Sequence, residues 1–302
     1  MKKTILSISV VLMLAMFAFF FMGCDGSIDN GGNGNGGSNN GGSANGNGDT
    51  NPPIVQVNTT IVLSGNTVEI NGDGAVFENR RLTITRPGVY NISGTLDNGQ
   101  IIVDVAREHR VELIMTNVTI TCLDSAVIHA KDTDRLIITI PEGTTTTFTD
   151  ATHYTFPQGG DRPHSAIYSR RSVTIRGGGT LYVNANFRNG IWSRGSVRIQ
   201  HSTVNVTAPH NGIRGRNSVR ITDSTFNITA GNDAIRVTRE NDPERGFVRI
   251  ENSAGRISAG DDGIQATTDV NISGSSVYVA ARGWFVVAPG QENIQEGNLI
   301  LN

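Results

Sequence analysis

Between Asn189 and Gly283 the chain writes one line four times. Asn189-Gly-Ile-Trp-Ser-Arg-Gly-Ser-Val-Arg-Ile returns 22 residues later as Asn211-Gly-Ile-Arg-Gly-Arg-Asn-Ser-Val-Arg-Ile. It returns after another 22 as Asp233-Ala-Ile-Arg, and after 29 more as Asp262-Gly-Ile-Gln-Ala-Thr-Thr-Asp-Val-Asn-Ile. A fixed period in this range marks stacked structural units. The period is too short for two-helix units, and its contents alternate by twos, as in Val197 and Ile199 or Val204 and Val206. That is strand periodicity, with three short strands per unit. Superposition aligns Ile191, Ile213, Ile235 and Ile264, then Val197, Val219, Val248 and Val270, then Ile199, Ile221, Ile250 and Ile272. The chain is therefore expected to be all-β, a parallel β-helix in which each column is an internal ladder. Ser-Val-Arg-Ile and Thr-Val-Asn-Val are poor helix formers, and glycine punctuates every unit, which disfavours a helical solenoid.

The first fifty residues stand apart. Lys2 and Lys3 precede an uncharged apolar run from Ile5 to Met22, then Gly23-Cys24. This reads as a signal peptide of lipoprotein type over residues 1–23 with lipidation at Cys24, and an uncleaved membrane anchor is the alternative. Residues 24–53 are dominated by Gly, Asn and Ser and form a flexible linker. Residues 54–302 form the folded domain. The expectation is an exported protein held on the cell envelope or surface by a lipid in the membrane. Cys122 alternates with Val118 and Ile120 and reads as a core residue rather than as a reactive thiol or metal ligand. Pro141 to His164, with its Thr144 to Thr147 run, reads as a long projecting loop, with a ligand-facing role or disorder both open. The closing apolar residues, Trp284-Phe-Val-Val and Asn298-Leu-Ile-Leu, are expected to cover the last coil.

A net charge of -2 hides a segregation: from Arg162 to Thr222 there are ten Arg and no Asp or Glu. The repeat brings these cations into register. Outward positions give Arg198, Arg220 and Arg249 in one column, and Trp192, Arg214, Arg236 and Gln265 in a second. Arg170, Arg194 and Arg216 form a third. Like charges at one-strand spacing repel unless an anion sits on them, and guanidinium forks suit carboxylate, sulfate or phosphate. A solubilising surface is the plainer explanation, and 61 residues without an acid weigh against it. Trp192, Tyr168 and Tyr182 fall outward by the same register and are candidates for stacking on sugar rings. At the turn that opens each coil, Asp233, Asp261 and Asp262 are candidate ligands for calcium, whereas Asn189 and Asn211 suit a structural ladder.

The coils with (Asp/Asn)-Gly-Ile, Ser-Val-x-Ile and Thr-x-x-Ile-Thr-Ala-Gly-x-Asp follow Gly88-Val-Tyr-Asn-Ile-Ser-Gly-Thr-Leu and Ile101-Ile-Val-Asp-Val. Together they resemble a family of bacterial cell-surface carbohydrate-binding proteins, over roughly Leu82 to Ala281. The resemblance implies a single-stranded right-handed parallel β-helix of about 22 residues per coil, shaped like pectate lyases. It also implies binding of cellulose and acidic polysaccharide such as polygalacturonate, with calcium. That family writes Gly-Asp-Gly-Ile in turn after turn, and this chain has Asn189 and Asn211 there. A calcium-dependent lyase is the rival expectation, with Arg214 or Arg236 as base beside Asp233 and Asp262. Paired carboxylates for a hydrolase are almost absent from the central coils. An adhesin or structural surface protein is the third expectation. Nucleic acid is not expected as a partner of an exported, tethered chain.

Overall fold

A computed structural model of the chain describes residues 58–156, 161–242, 244–295 and 299–301. All fall within the compact unit Asn51–Asn302. The proposed signal, Cys24 and the Gly/Asn linker lie outside the described residues, and so does part of the Pro141 to His164 segment.

The described chain is strand, turn and irregular backbone, without a helix. The register expected from the repeat is present: Ile191, Ile213, Ile235 and Ile264 pair in succession, as do Val197, Val219, Val248 and Val270. All eight side chains are fully buried in one apolar cluster. Each contributes roughly 1.5 to 3 kcal/mol of burial.

The single-stranded right-handed β-helix is corrected. The chain builds two sheets, one of eighteen strands and one of ten, mostly parallel. The ten-stranded sheet runs from Ala75–Glu78 to Val286–Val287. The larger sheet forks, because Arg110–Thr121 is twelve residues long and does not stop at a corner. Its first half pairs with Arg135–Thr139, and its last three residues pair with Thr145–Thr149. Two arms of parallel strands follow, one through Ser196–Gln200 and the other through Thr203–Ala208. Antiparallel pairs stand at the beginning, Asn58–Gly65 with Thr67–Asn71 and Ala75–Glu78 with Arg81–Ile84. The strict period begins at Asn189, and these long early strands lie outside it.

The corner between the arms has its own chemistry. His201, Asp223, Asn252 and Gly274 hold φ of 49°, 48°, 48° and 57°, conformations that Asn, Asp, His and Gly tolerate best. A serine follows each. The Ser202, Ser224 and Ser253 amides donate to the hydroxyls of Ser224, Ser253 and Ser275 at 3.1–3.3 Å, which satisfies donors that would otherwise be buried unpaired.

Two local expectations also change. Thr145–Thr149 is a paired strand rather than loop, with Phe148 fully buried. Trp284 is 74% exposed and does not cover the last coil, although Phe285 and Val286 pack against the core.

Candidate functional site

The outer face of the ten-stranded sheet carries one column across successive strands: His129, Tyr168, Trp192, Arg214, Arg236 and Gln265. Its rings meet edge to face, His129 on Tyr168 at 5.4 Å and Tyr168 on Trp192 at 5.1 Å. The Arg214 guanidinium then lies 5.0 Å over Trp192. An aromatic ladder thus passes into a cationic one along a single register. Tyr168 was expected outward; it is 1% exposed, with its ring between His129 and Trp192 and its hydroxyl 3.4 Å from Asp161. Trp192 is half-buried, between the Arg214 guanidinium and the His164 ring.

Asp161, not among the expected site residues, ties this column together. Its carboxylate is 3.3 Å from His129 Nε2, 3.4 Å from the Tyr168 hydroxyl and 3.8 Å from Arg170 Nε. Burial lowers the proton affinity of His129, with Asp161 opposing, and raises that of Tyr168 with help from Asp161. Both rings are therefore neutral scaffolding near pH 7.

Beside this column the far end of the Pro141 to His164 segment contributes a second group of rings. Tyr154 stacks on Phe187 at 4.4 Å, His164 on Phe187 at 6.0 Å, and His164 on Trp192 at 6.1 Å. Phe156 meets His164 edge-on at 5.3 Å, and Arg162 stands 5.8 Å over Phe156. Asp150, 2% exposed, anchors the group by accepting from the Tyr154 hydroxyl and from the Asn186 amide. Burial pushes its carboxyl up to about 6 against those hydrogen bonds. Tyr154 and Phe156 were visible in the sequence, but nothing there joined them to Phe187, 33 and 31 residues further on.

The other arginines divide. Arg198, Arg220 and Arg249 pair in register on the first arm of the forked sheet. Arg220 and Arg249 both stack on Phe247, at 4.7 and 5.4 Å. Arg170, Arg194 and Arg216 are exposed at the corner beyond the ten-stranded sheet. Burial lowers the proton affinity of Arg214, with Arg236 and Arg188 adding, and lowers that of Arg220, with Arg249 adding.

Asp233, Asp261 and Asp262 do come together, with ligand atoms within 4.8 Å of one another. The oxygens of Asp233 and Asp262 are nevertheless in use, and of the three only the exposed Asp261 carboxylate has no side-chain partner among the described residues. A ladder runs through this turn: the Asn211 amide donates to Asn189 Oδ1 at 3.4 Å, Asp233 to Asn211 at 3.3 Å, Asp262 to Asp233 at 3.3 Å, and Trp284 to Asp262 at 2.8 Å. The second oxygen of Asp233 accepts from Arg236 at 2.7 Å, and that of Asp262 accepts from Gln265 at 3.3 Å. Calcium needs several free hard oxygens, and here a guanidinium is already the counter-ion of the most buried one. The arrangement fits a resident cation poorly.

The carbohydrate-binding domain family matches residues 78–295. The chain belongs to that family. A carbohydrate-binding domain-containing protein of Acetivibrio thermocellus is 42% identical over 245 residues, covering 80% of this chain and 86% of the relative. Among solved structures, the polysaccharide lyase-like protein from C. thermocellum, as a gadolinium derivative, superposes with a TM-score of 0.79 at 38% identity. It covers 82% of this chain and 100% of its own.

Proposed function

We propose that this family member binds acidic polysaccharide, polygalacturonate-like, along the Trp192, Arg214 and Arg236 column, as an exported protein tethered through Cys24. The reading rests on one observation: a part-exposed indole and guanidiniums stand on adjacent strands in a single register. Strand steps are about 4.8 Å, so a sugar can pack against the part of the indole left open between Arg214 and His164 while its carboxylate meets the guanidinium on the next strand. Neutral glucan such as cellulose would use the rings alone and bind more weakly. Calcium is not required in this reading, because Arg236 answers the Asp233 charge.

β-Elimination is the second reading, favoured by the polysaccharide lyase-like structural neighbour, with Arg214, next to Arg236 on the following strand, as the candidate base. One experiment addresses both. Polygalacturonate and cellulose are titrated onto wild type with and without chelator, while the ultraviolet absorbance of unsaturated product is followed. The expected result is salt-sensitive, chelator-insensitive binding of polygalacturonate without new absorbance. Trp192→Ala with Arg214→Gln should weaken it by tenfold or more, since each charge-assisted contact is worth about 1.5 to 3 kcal/mol. Arg198→Gln with Arg220→Gln, on the forked sheet, should change it far less. Equal losses in both pairs would move the ligand off the ten-stranded sheet.

A further inference from the structure

Where Ser165–Ser169, Asn189–Ser193 and Ile213–Gly215 leave the ten-stranded sheet, Arg170, Arg194 and Arg216 follow at equivalent positions and border a cavity of about 320 Å³. Arg107 and Arg171 complete a wall of five guanidiniums, against two carboxylates, Asp132 and Asp134. The balance is three net positive charges, and Asp134 is shared with Arg110 at 3.6 Å. Among the described residues Arg107, Arg171 and Arg216 have no carboxylate partner, and Arg170 approaches Asp161 only to 3.8 Å. The Arg194 and Arg216 amides are spent on the Ser169 and Ser193 carbonyls at 2.9 Å, so these two residues offer their side chains rather than their backbone. Recognition here falls to the guanidinium forks.

We propose that this cavity binds a phosphate monoester carried on a small sugar, gripped chiefly by Arg194 and Arg216. A phosphate monoester brings about -1.5 to -2 charges and three strong acceptor oxygens, which several guanidiniums approaching from different strands can share. A uronate carboxylate has one charge and two oxygens in a plane, so it would leave most of the wall unanswered. The cavity lies at the lower end of the range for small-molecule sites, about 300 Å³ and upward, and exceeds what a bare oxyanion needs. The site lies just past the strand ends that carry Trp192 and Arg214, with Arg194 also reaching the Tyr168 side chain, and the proposal does not depend on the polysaccharide reading.

Calorimetric titration with glucose 6-phosphate, inorganic phosphate, galactose 6-sulfate and glucose, at ionic strength fixed with sodium chloride, tests the assignment. Glucose 6-phosphate is expected to bind most tightly and glucose not at all. Equal affinity for inorganic phosphate would support the anion site and assign it to the free ion. Binding of the phosphate ester should weaken from pH 7.5 to pH 5, because its second pKa is about 6, while the weaker binding of the sulfate ester stays flat. Arg194→Gln with Arg216→Gln should lower phosphate affinity about tenfold or more. Arg216→Gln alone, at an exposed side chain, keeps the test open if the double variant does not fold. Arg256→Gln, on the second arm of the forked sheet, should leave affinity unchanged. Phosphate binding no stronger than the chloride background, or unaltered in the Arg194 and Arg216 variants, would overturn the proposal.

Discussion

Asp233→Asn separates a backbone ladder from a metal centre, because the ladder needs an oxygen and a cation needs a charge. Asp233 is wholly buried, and its Oδ1 accepts the Asp262 amide at 3.3 Å. Burial raises its carboxyl's pKa despite Arg236 at 2.7 Å, so the cost of desolvating the charge exceeds what the pair returns. Asparagine keeps the acceptor and removes the desolvated charge, and the Arg236 side chain, 34% exposed, can turn to water. The expected change at pH 7 is within about 1 kcal/mol of wild type, on either side of zero. Asp233→Leu also strands the Asp262 amide and should cost about 1 to 3 kcal/mol for that donor alone. A folded pKa above the unfolded value means the native state holds more protons. Wild-type stability from this group is therefore present at low pH and lost as pH rises through the raised value, and the asparagine variant lacks that loss. Urea melts at pH 4.5 and pH 7.5 measure it, with and without calcium. A loss above about 2 kcal/mol in Asp233→Asn at pH 7.5, or calcium stabilisation of wild type that the variant lacks, would refute the ladder argument.

Three further outcomes follow from other parts of the molecule. Gly255 faces Phe226 in register, and a Cβ there would sit 2.1 Å from the ring, so Gly255→Ala should lower stability by about 1 to 3 kcal/mol. Adding Phe226→Val should restore part of that loss, as read by thermal melts in a double-mutant cycle. Asp150, with a pKa near 6 in the fold, should make wild type lose up to about 3 kcal/mol between pH 4 and pH 7, and Asp150→Asn should flatten the profile. Cys24→Ala should leave a precursor that takes up no fatty-acid label in cells, and equal labelling of both forms would remove the lipid anchor from the proposal.

The columns of Val and Ile were legible because a buried parallel strand repeats the same demand at every pairing: an apolar, β-branched side chain of constant volume. Ile213 and Ile235 meet across strands as spacing alone requires. The fork was not legible, since it depends on Arg110–Thr121 running on through a corner, and a long apolar alternation looks the same whether it bends or not. The arginine register was equally plain, because outward residues alternate with inward ones. What each arginine touches was not. Phe247 lies two residues from Arg249 in sequence, but only pairing with Ser218–Thr222 brings Arg220 against the same ring. Asp161 escaped notice for a similar reason. It stands one residue before the acid-free band, and its three partners come from two strands and a corner.

The band of ten arginines is therefore not one surface. Neighbouring guanidiniums one strand apart repel by about 0.9 kcal/mol in water and by more where partly buried, so a register of them needs local compensation. The fold supplies it unevenly. Arg214 has the face of Trp192, Arg220 and Arg249 share Phe247, and Arg236 holds the buried Asp233 carboxylate. A cation over a ring keeps most of its charge available while losing part of its hydration, which suits contact with a polymer that also presents sugar faces to the ring. Arg216, with Arg107 and Arg171 beside it, has neither ring nor carboxylate partner among the described residues. Uncompensated charge gathers at the corner, so a compact anion gains most there and an extended acidic chain gains most along the ringed column. Neutralising the corner arginines should accordingly raise stability in low salt, whereas removing Arg214 leaves the Trp192 face bare and should not.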